Sequence, residues 1–111
     1  MKLKINGQDQ SFVFGVKFLR KLDAYRGAEQ EIQGVKVKLG MGLTMMLPQL
    51  MTKDAAALAD VLYCAAKSSI KLDTIDDYID NCKDLDSLFN RVINEIKASN
   101  AAKPIAKNLK A

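Results

Sequence analysis

Histidine and tryptophan are both absent from these 111 residues, and the first absence removes much neutral-pH chemistry. Histidine is the commonest general base and metal ligand near about pH 7. Ser-His-Asp and Cys-His triads are therefore excluded within one chain. No CxxC pair, no HExxH helix and no complete glycine-rich phosphate loop occurs either. Gly40-Met41-Gly42 starts like such a loop, but no third glycine follows at the required spacing.

Cysteine is scarce. Cys64 and Cys82 are the only two, each inside a helical pattern where a thiol acts as a small buried hydrophobe. Their spacing leaves a disulfide open, although nothing else points to an oxidising compartment. Long apolar runs are missing too: none approaches the roughly 20 residues that span a bilayer. The N-terminus alternates Lys with apolar residues and offers no signal-peptide core. A soluble, intracellular chain with no membrane contact, no cofactor, no metal and no catalytic site is the expectation.

What is present suffices for one core, since 49% of the residues are hydrophobic. The net charge of +4 is unevenly spread. Residues 1–38 carry eight Lys or Arg against four acids, residues 39–99 six against nine, and residues 100–111 three Lys and no acid. Basic ends thus flank an acidic middle. Three tail lysines, Lys103, Lys107 and Lys110, give phosphates only a weak, salt-sensitive contact, and solvated Lys is the simpler reading.

Period-2 alternation over residues 2–14, Leu3 and Ile5 with Lys2 and Lys4 and then Phe12 and Phe14 with Ser11 and Val13, around a turn containing Asn6-Gly7, predicts a β-hairpin. Val13 falls on the other face, which need not be wholly wet. After Gly15 the period changes to 3.6. A helix to about Arg26 places Phe18, Leu19, Leu22 and Tyr25 on the buried side, with Lys17, Arg20, Lys21 and Asp23 opposite. Gly27 then offers a left-handed end. Residues 28–34 read as a polar loop, and Val35, Val37 and Leu39 as a strand that could join the hairpin as its third member.

Met41 to Met51 is apolar nearly all round and interrupted by Pro48, so a helix there is short and bent. A helix from Asp54 to about Lys67 buries Leu58, Val61, Leu62 and Ala65. The next is capped by Thr74 with Asp77 three residues on, and carries Ile75, Tyr78, Ile79 and Cys82. The last starts near Asp84 and carries Leu85, Leu88, Phe89, Val92, Ile93 and Ile96 on one face. Together these predict an α+β fold: a mostly helical single domain over residues 1–99, with a small N-terminal antiparallel hairpin, room for a third strand, and four to five helices. Residues 100–111, small and basic with Pro104, read as a flexible tail.

Asp73, Asp76, Asp77, Asp80, Asp84 and Asp86 form the densest charge cluster. Their order lacks the glycine and terminal glutamate of a calcium loop, and most fall in first helical turns, where negative charge is favourable. Met41, Met45, Met46 and Met51 are the candidate partner or subunit contact, because thioethers make adaptable binding surfaces. Core filling is the competing use of the same residues. A second class of function, a small nucleic-acid-binding module, would lay Lys2, Lys4, Lys36 and Lys38 along phosphates. It lacks an aromatic stacking platform and a basic recognition helix.

Across nearly the whole chain, the order and spacing of several blocks resemble the tail assembly chaperones of siphophages and related prophages, particularly those of Gram-positive hosts. The blocks are Lys4-Ile5-Asn6-Gly7, the run from Phe14 to Asp23, Gly40-Met41-Gly42-Leu43, Leu47-Pro48-Gln49-Leu50, the run from Ala57 to Ala65, Ile75-Asp76-Asp77-Tyr78-Ile79, Leu88-Phe89 and Lys97-Ala98-Ser99-Asn100. The resemblance implies a non-enzymatic protein of the host cytoplasm, absent from the mature virion. Such a protein coats and solubilises the helical tape measure protein and promotes tail tube assembly around it. It also implies a longer product of programmed frameshifting that recruits the tail tube protein, while homo-oligomers are expected because Met41 to Met51, with Pro48, offers more apolar surface than a domain this small readily covers. Codons AAA-AAT-TTA for Lys107-Asn108-Leu109 would contain a slippery heptamer, though many other codon choices encode the same residues.

Overall fold

Asn6 and Gly7 turn the chain back on itself in the computed structural model, which describes residues 1–108. Both have positive φ, 52° and 78°, the two-residue geometry that matches strand twist. Strands β1 (Lys2–Ile5) and β2 (Gln8–Ser11) pair antiparallel, Leu3 opposite Gln10. Leu3 and Ile5 are buried, and Lys2 and Lys4 face water. Beyond β2, Phe12 and Phe14 enter the core while Val13 stays exposed. There the chain pairs with the end of a distant helix: Val13 N–H donates to Ala65 O and Lys67 N–H to Ser11 O, both at 2.9 Å.

Helix α1 (Val16–Arg26) buries Phe18 and Leu22. Tyr25, expected on the buried side, is 43% exposed. Gly27 does not adopt the expected left-handed conformation; its φ and ψ are −74° and 164°. Space is what it supplies, because a Cβ there would lie 2.1 Å from the Asp23 carbonyl oxygen and 2.8 Å from that of Gly40.

Residues 28–34, expected as a loop, contain strand β3 (Ala28–Ile32), paired antiparallel with β4 (Val35–Gly40). The expected third strand thus exists but belongs to a separate two-stranded sheet. Two causes act together. Gln33-Gly34 makes the same tight turn, with φ of 52° and 80°, so β4 has an immediate neighbour. In addition, the 11 residues of α1 carry the chain about 16 Å from the first hairpin before β3 begins.

Gly40-Met41-Gly42 is the sharp entry into α2 (Gly42–Met51), with Gly40 and Met41 both left-handed. Gly42 is pressed onto α1, where a Cβ would meet the Leu22 carbonyl at 2.8 Å, and its N–H donates to Asp23 Oδ1 at 2.8 Å. Asp23 of one helix therefore caps the next. Helix α2 continues through an exposed Pro48 and buries Leu43, Met46, Leu47 and Leu50.

Helix α3 (Ala55–Ala65) is the centre of the domain, packed by α1, α2 and α4 and buried almost all round. Asp54 caps it, accepting from Ala57 N–H at 3.1 Å. Helix α4 (Leu72–Asp80) starts earlier than expected: Lys71 holds the cap position and Thr74 lies within the first turn. Leu72, packed on the core, extends the helix past the sequence signal. Helix α5 (Leu85–Ala98) is capped by Asp84 and buries Leu88, Phe89, Val92, Ile93 and Ile96 as the pattern requires.

Among the described residues a sixth helix follows, where a flexible tail was expected. Helix α6 (Lys103–Asn108) packs on α5 and α2, with Ala102 and Ala106 buried. The Ser99 hydroxyl donates to the Phe14 carbonyl and accepts from Ala102 N–H, tying this segment to the hairpin. Ala102 and Ala106, four apart, with Ile105 packed beside them, dock a helix whose small, basic composition reads as solvated. The frameshift reading concerned Lys107-Asn108-Leu109, and Leu109 lies outside the described residues.

Candidate interaction surfaces

No buried side-chain N or O lacks a hydrogen-bond partner among the described residues. No group of three potential ligands converges there as a metal site would require. Asp73, Asp76, Asp77 and Asp80 are spread along α4, and Asp84 and Asp86 serve the start of α5. No described helix is long and apolar enough to cross a membrane. Lys2 and Lys4 sit on one hairpin and Lys36 and Lys38 on another, whose register sets Glu31 opposite Lys36 and Glu29 opposite Lys38. The basic ridge of the nucleic-acid reading is split between two sheets.

The four candidate methionines also part company. Met46 is a core residue, 1% exposed, while Met41, Met45 and Met51 are about half exposed at 51%, 45% and 54%. Met41, Met45 and Pro48 share the outward face of α2 by their i, i+4, i+7 spacing. Met51 ends the same helix, three residues after Pro48. This outward face carries no charged residue within α2.

A second apolar surface was not anticipated. Two adjoining hollows of ≈ 720 and ≈ 450 Å³ run along α1 and share Lys21, Cys64, Ala66 and Lys67. Val13 and Val16 stand at one end, and Tyr25 and Tyr63 at the other, their ring centroids 5.5 Å apart. Exposures of 52% and 55% for the two valines mark unfilled apolar surface. The one sequence signal was Val13, on the outer face between two inward phenylalanines.

Asp60, the one charged residue buried among those described, lies near Tyr25 but outside the lining of either hollow. Arg26 Nη1 reaches its Oδ2 at 2.7 Å. Burial pushes the Asp60 carboxyl above the usual aspartate range, and the Arg26 guanidinium opposes that shift. Burial, then the Asp60 charge, raises the Tyr25 phenol. The same two causes push the Cys64 thiol up to about 11. Both cysteines are free, Cys64 buried and Cys82 half-buried. A protonated, enclosed thiol beside an anion is a packing group, not a nucleophile.

No curated protein and no solved structure matches the chain. A family model described as phage tail assembly chaperone protein, TAC, matches residues 2–110. Since that match begins at β1 and runs through every helix, the chain belongs to the phage tail assembly chaperone family.

Proposed function

We propose that this tail assembly chaperone binds an apolar helical stretch of the tape measure protein, keeps it soluble, and promotes assembly of the tail tube around it, without catalysis. The supporting observation is the contrast between a fully satisfied interior and two exposed apolar surfaces on a small domain. Apolar segments of a long client aggregate unless covered, and a soluble domain with accessible thioether, valine and tyrosine groups covers them. The host cytoplasm is the compartment for such work, before the virion is complete.

Homo-oligomers belong to this reading, because the uncharged outward face of α2 gains by being covered. So does a longer frameshifted product that brings in the tail tube protein, its extension following α6. Co-expression with the tape measure protein tests the core of the proposal. The soluble fraction of that protein should rise with the chaperone. A client that remains insoluble, with the chaperone itself folded and abundant, would overturn it.

A further inference from the structure

We infer that the groove between α1 and the end of α3 is a cradle for an amphipathic helix of another protein, one whose apolar stripe is flanked by carboxylates. This rests on the reading of a helical client and names where and how that client is held.

The groove has the length and floor for a helix. Val16, Lys17, Phe18, Lys21, Ala24 and Tyr25 line one wall, and α1 itself rises about 16 Å, or three turns. Ala24, Cys64 and Ala66 keep the middle shallow-sided and let a backbone come close. Apolar contacts are concentrated at the two ends, Val13 with Val16 and Tyr25 with Tyr63. A helix lying along α1 would therefore anchor through two apolar clusters about two to three turns apart.

Charge decides the occupant. Lys17 and Lys21 line the α1 wall, Lys67 the opposite one, and no acidic residue lines either hollow. Their aliphatic stems extend the apolar bed while the ammonium groups meet whatever flanks the stripe. A client bordered by Asp or Glu gains from all three, and one bordered by Lys or Arg is repelled. A second copy of this chain does not supply that combination from its described helices. Helix α2 exposes an apolar face but has no carboxylate, and α4 has the carboxylates but buries Ile75 and Ile79.

Two synthetic peptides of about 18 residues, five turns, make the test. They share one Leu stripe, flanked by Glu in one and by Lys in the other. Binding is read by fluorescence anisotropy, and the contact surface by backbone amide NMR shifts. The Glu-flanked peptide should bind at least about tenfold tighter at low salt, as expected for three exposed charge pairs, with the gap shrinking at high salt. Shifts should cluster at 13–25 and 63–70. Lys17→Glu with Lys21→Glu and Lys67→Glu should invert the preference, and Tyr63→Ala should weaken both peptides. If the triple variant misfolds, Lys21→Glu alone, at the junction of the hollows, should narrow the gap.

Equal affinities, an unchanged preference in the variants, or shifts confined to α2 would overturn the groove assignment. Co-expression separates this failure from that of the parent reading. A tape measure protein solubilised equally by wild type and triple variant would remove the groove and leave the chaperone role standing.

Discussion

The outward face of α2 and the groove along α1 both expose apolar side chains, yet their borders differ. Met41, Met45 and Pro48 form a face without charge inside their helix, whereas Lys17, Lys21 and Lys67 frame the groove. Uncharged apolar surface attracts any apolar partner, itself included. A charged border adds a penalty for the wrong partner, and that penalty makes a contact selective. On the proposed reading the two surfaces take different tasks, self-association for α2 and client choice for the groove.

The largest expected effect separates surface from core within α2. Met46→Asp would bury a carboxylate with no partner among Leu43, Leu47 and Leu50, at a cost of about 3–5 kcal/mol. Met45→Asp, one residue away and 45% exposed, should change stability by less than about 0.5 kcal/mol and reduce only self-association. Urea melts and light scattering distinguish the two. Equal destabilisation by both would erase the distinction between the faces.

Next comes α6, which packs against α2 and α5. Deleting residues 101–111 removes Ala102 and Ala106 from the core and should cost about 1–3 kcal/mol in a urea melt. Unchanged stability would return this segment to the role of a tether.

Smaller effects come from two titratable groups, Asp60 and Cys64. Burial raises the Asp60 pKa, so the folded state binds that proton more tightly than the unfolded state does. Asp60's contribution to stability should therefore improve as pH falls through its folded pKa toward the ordinary aspartate value, and Asp60→Asn should flatten that component. The same sign is expected of Cys64, at high pH. Its thiol, raised from 9.0 to about 11, stays protonated when folded while the unfolded state ionises, so stability falls as pH rises between those values. At neutral pH, Cys64 should resist alkylation until the chain unfolds, and rapid labelling of native Cys64 would contradict its enclosure.

How much of this was legible in the sequence depended on whether the deciding contact was local. Asn6-Gly7, the Asp54 and Asp84 caps and the α5 stripe were readable because each is settled within a few residues. Gln33-Gly34 closes an equivalent turn with a weaker signature, which hid β3. Asp23 capping α2, Gly27 crowded by Gly40, and Asp60 paired with Arg26 all join residues far apart in the chain. Periodicity treats Asp23 as a solvent group and Tyr25 as a core one. The four methionines were read as either core or contact residues, and the helical phase assigns Met46 to the core and its neighbour to the surface. The groove was invisible, because it arises where α1 meets a segment some forty residues later in the chain.

The most direct measurement is hydrogen–deuterium exchange on the chaperone alone and in complex with a co-expressed tape measure segment. Slowed exchange should appear at residues 13–25 and 63–70, with the α2 amides of Met41 and Met45 changing only where the complex also oligomerises. Protection confined to α2, with the groove exchanging as in the free protein, would contradict the assignment of client binding to the lysine-framed groove.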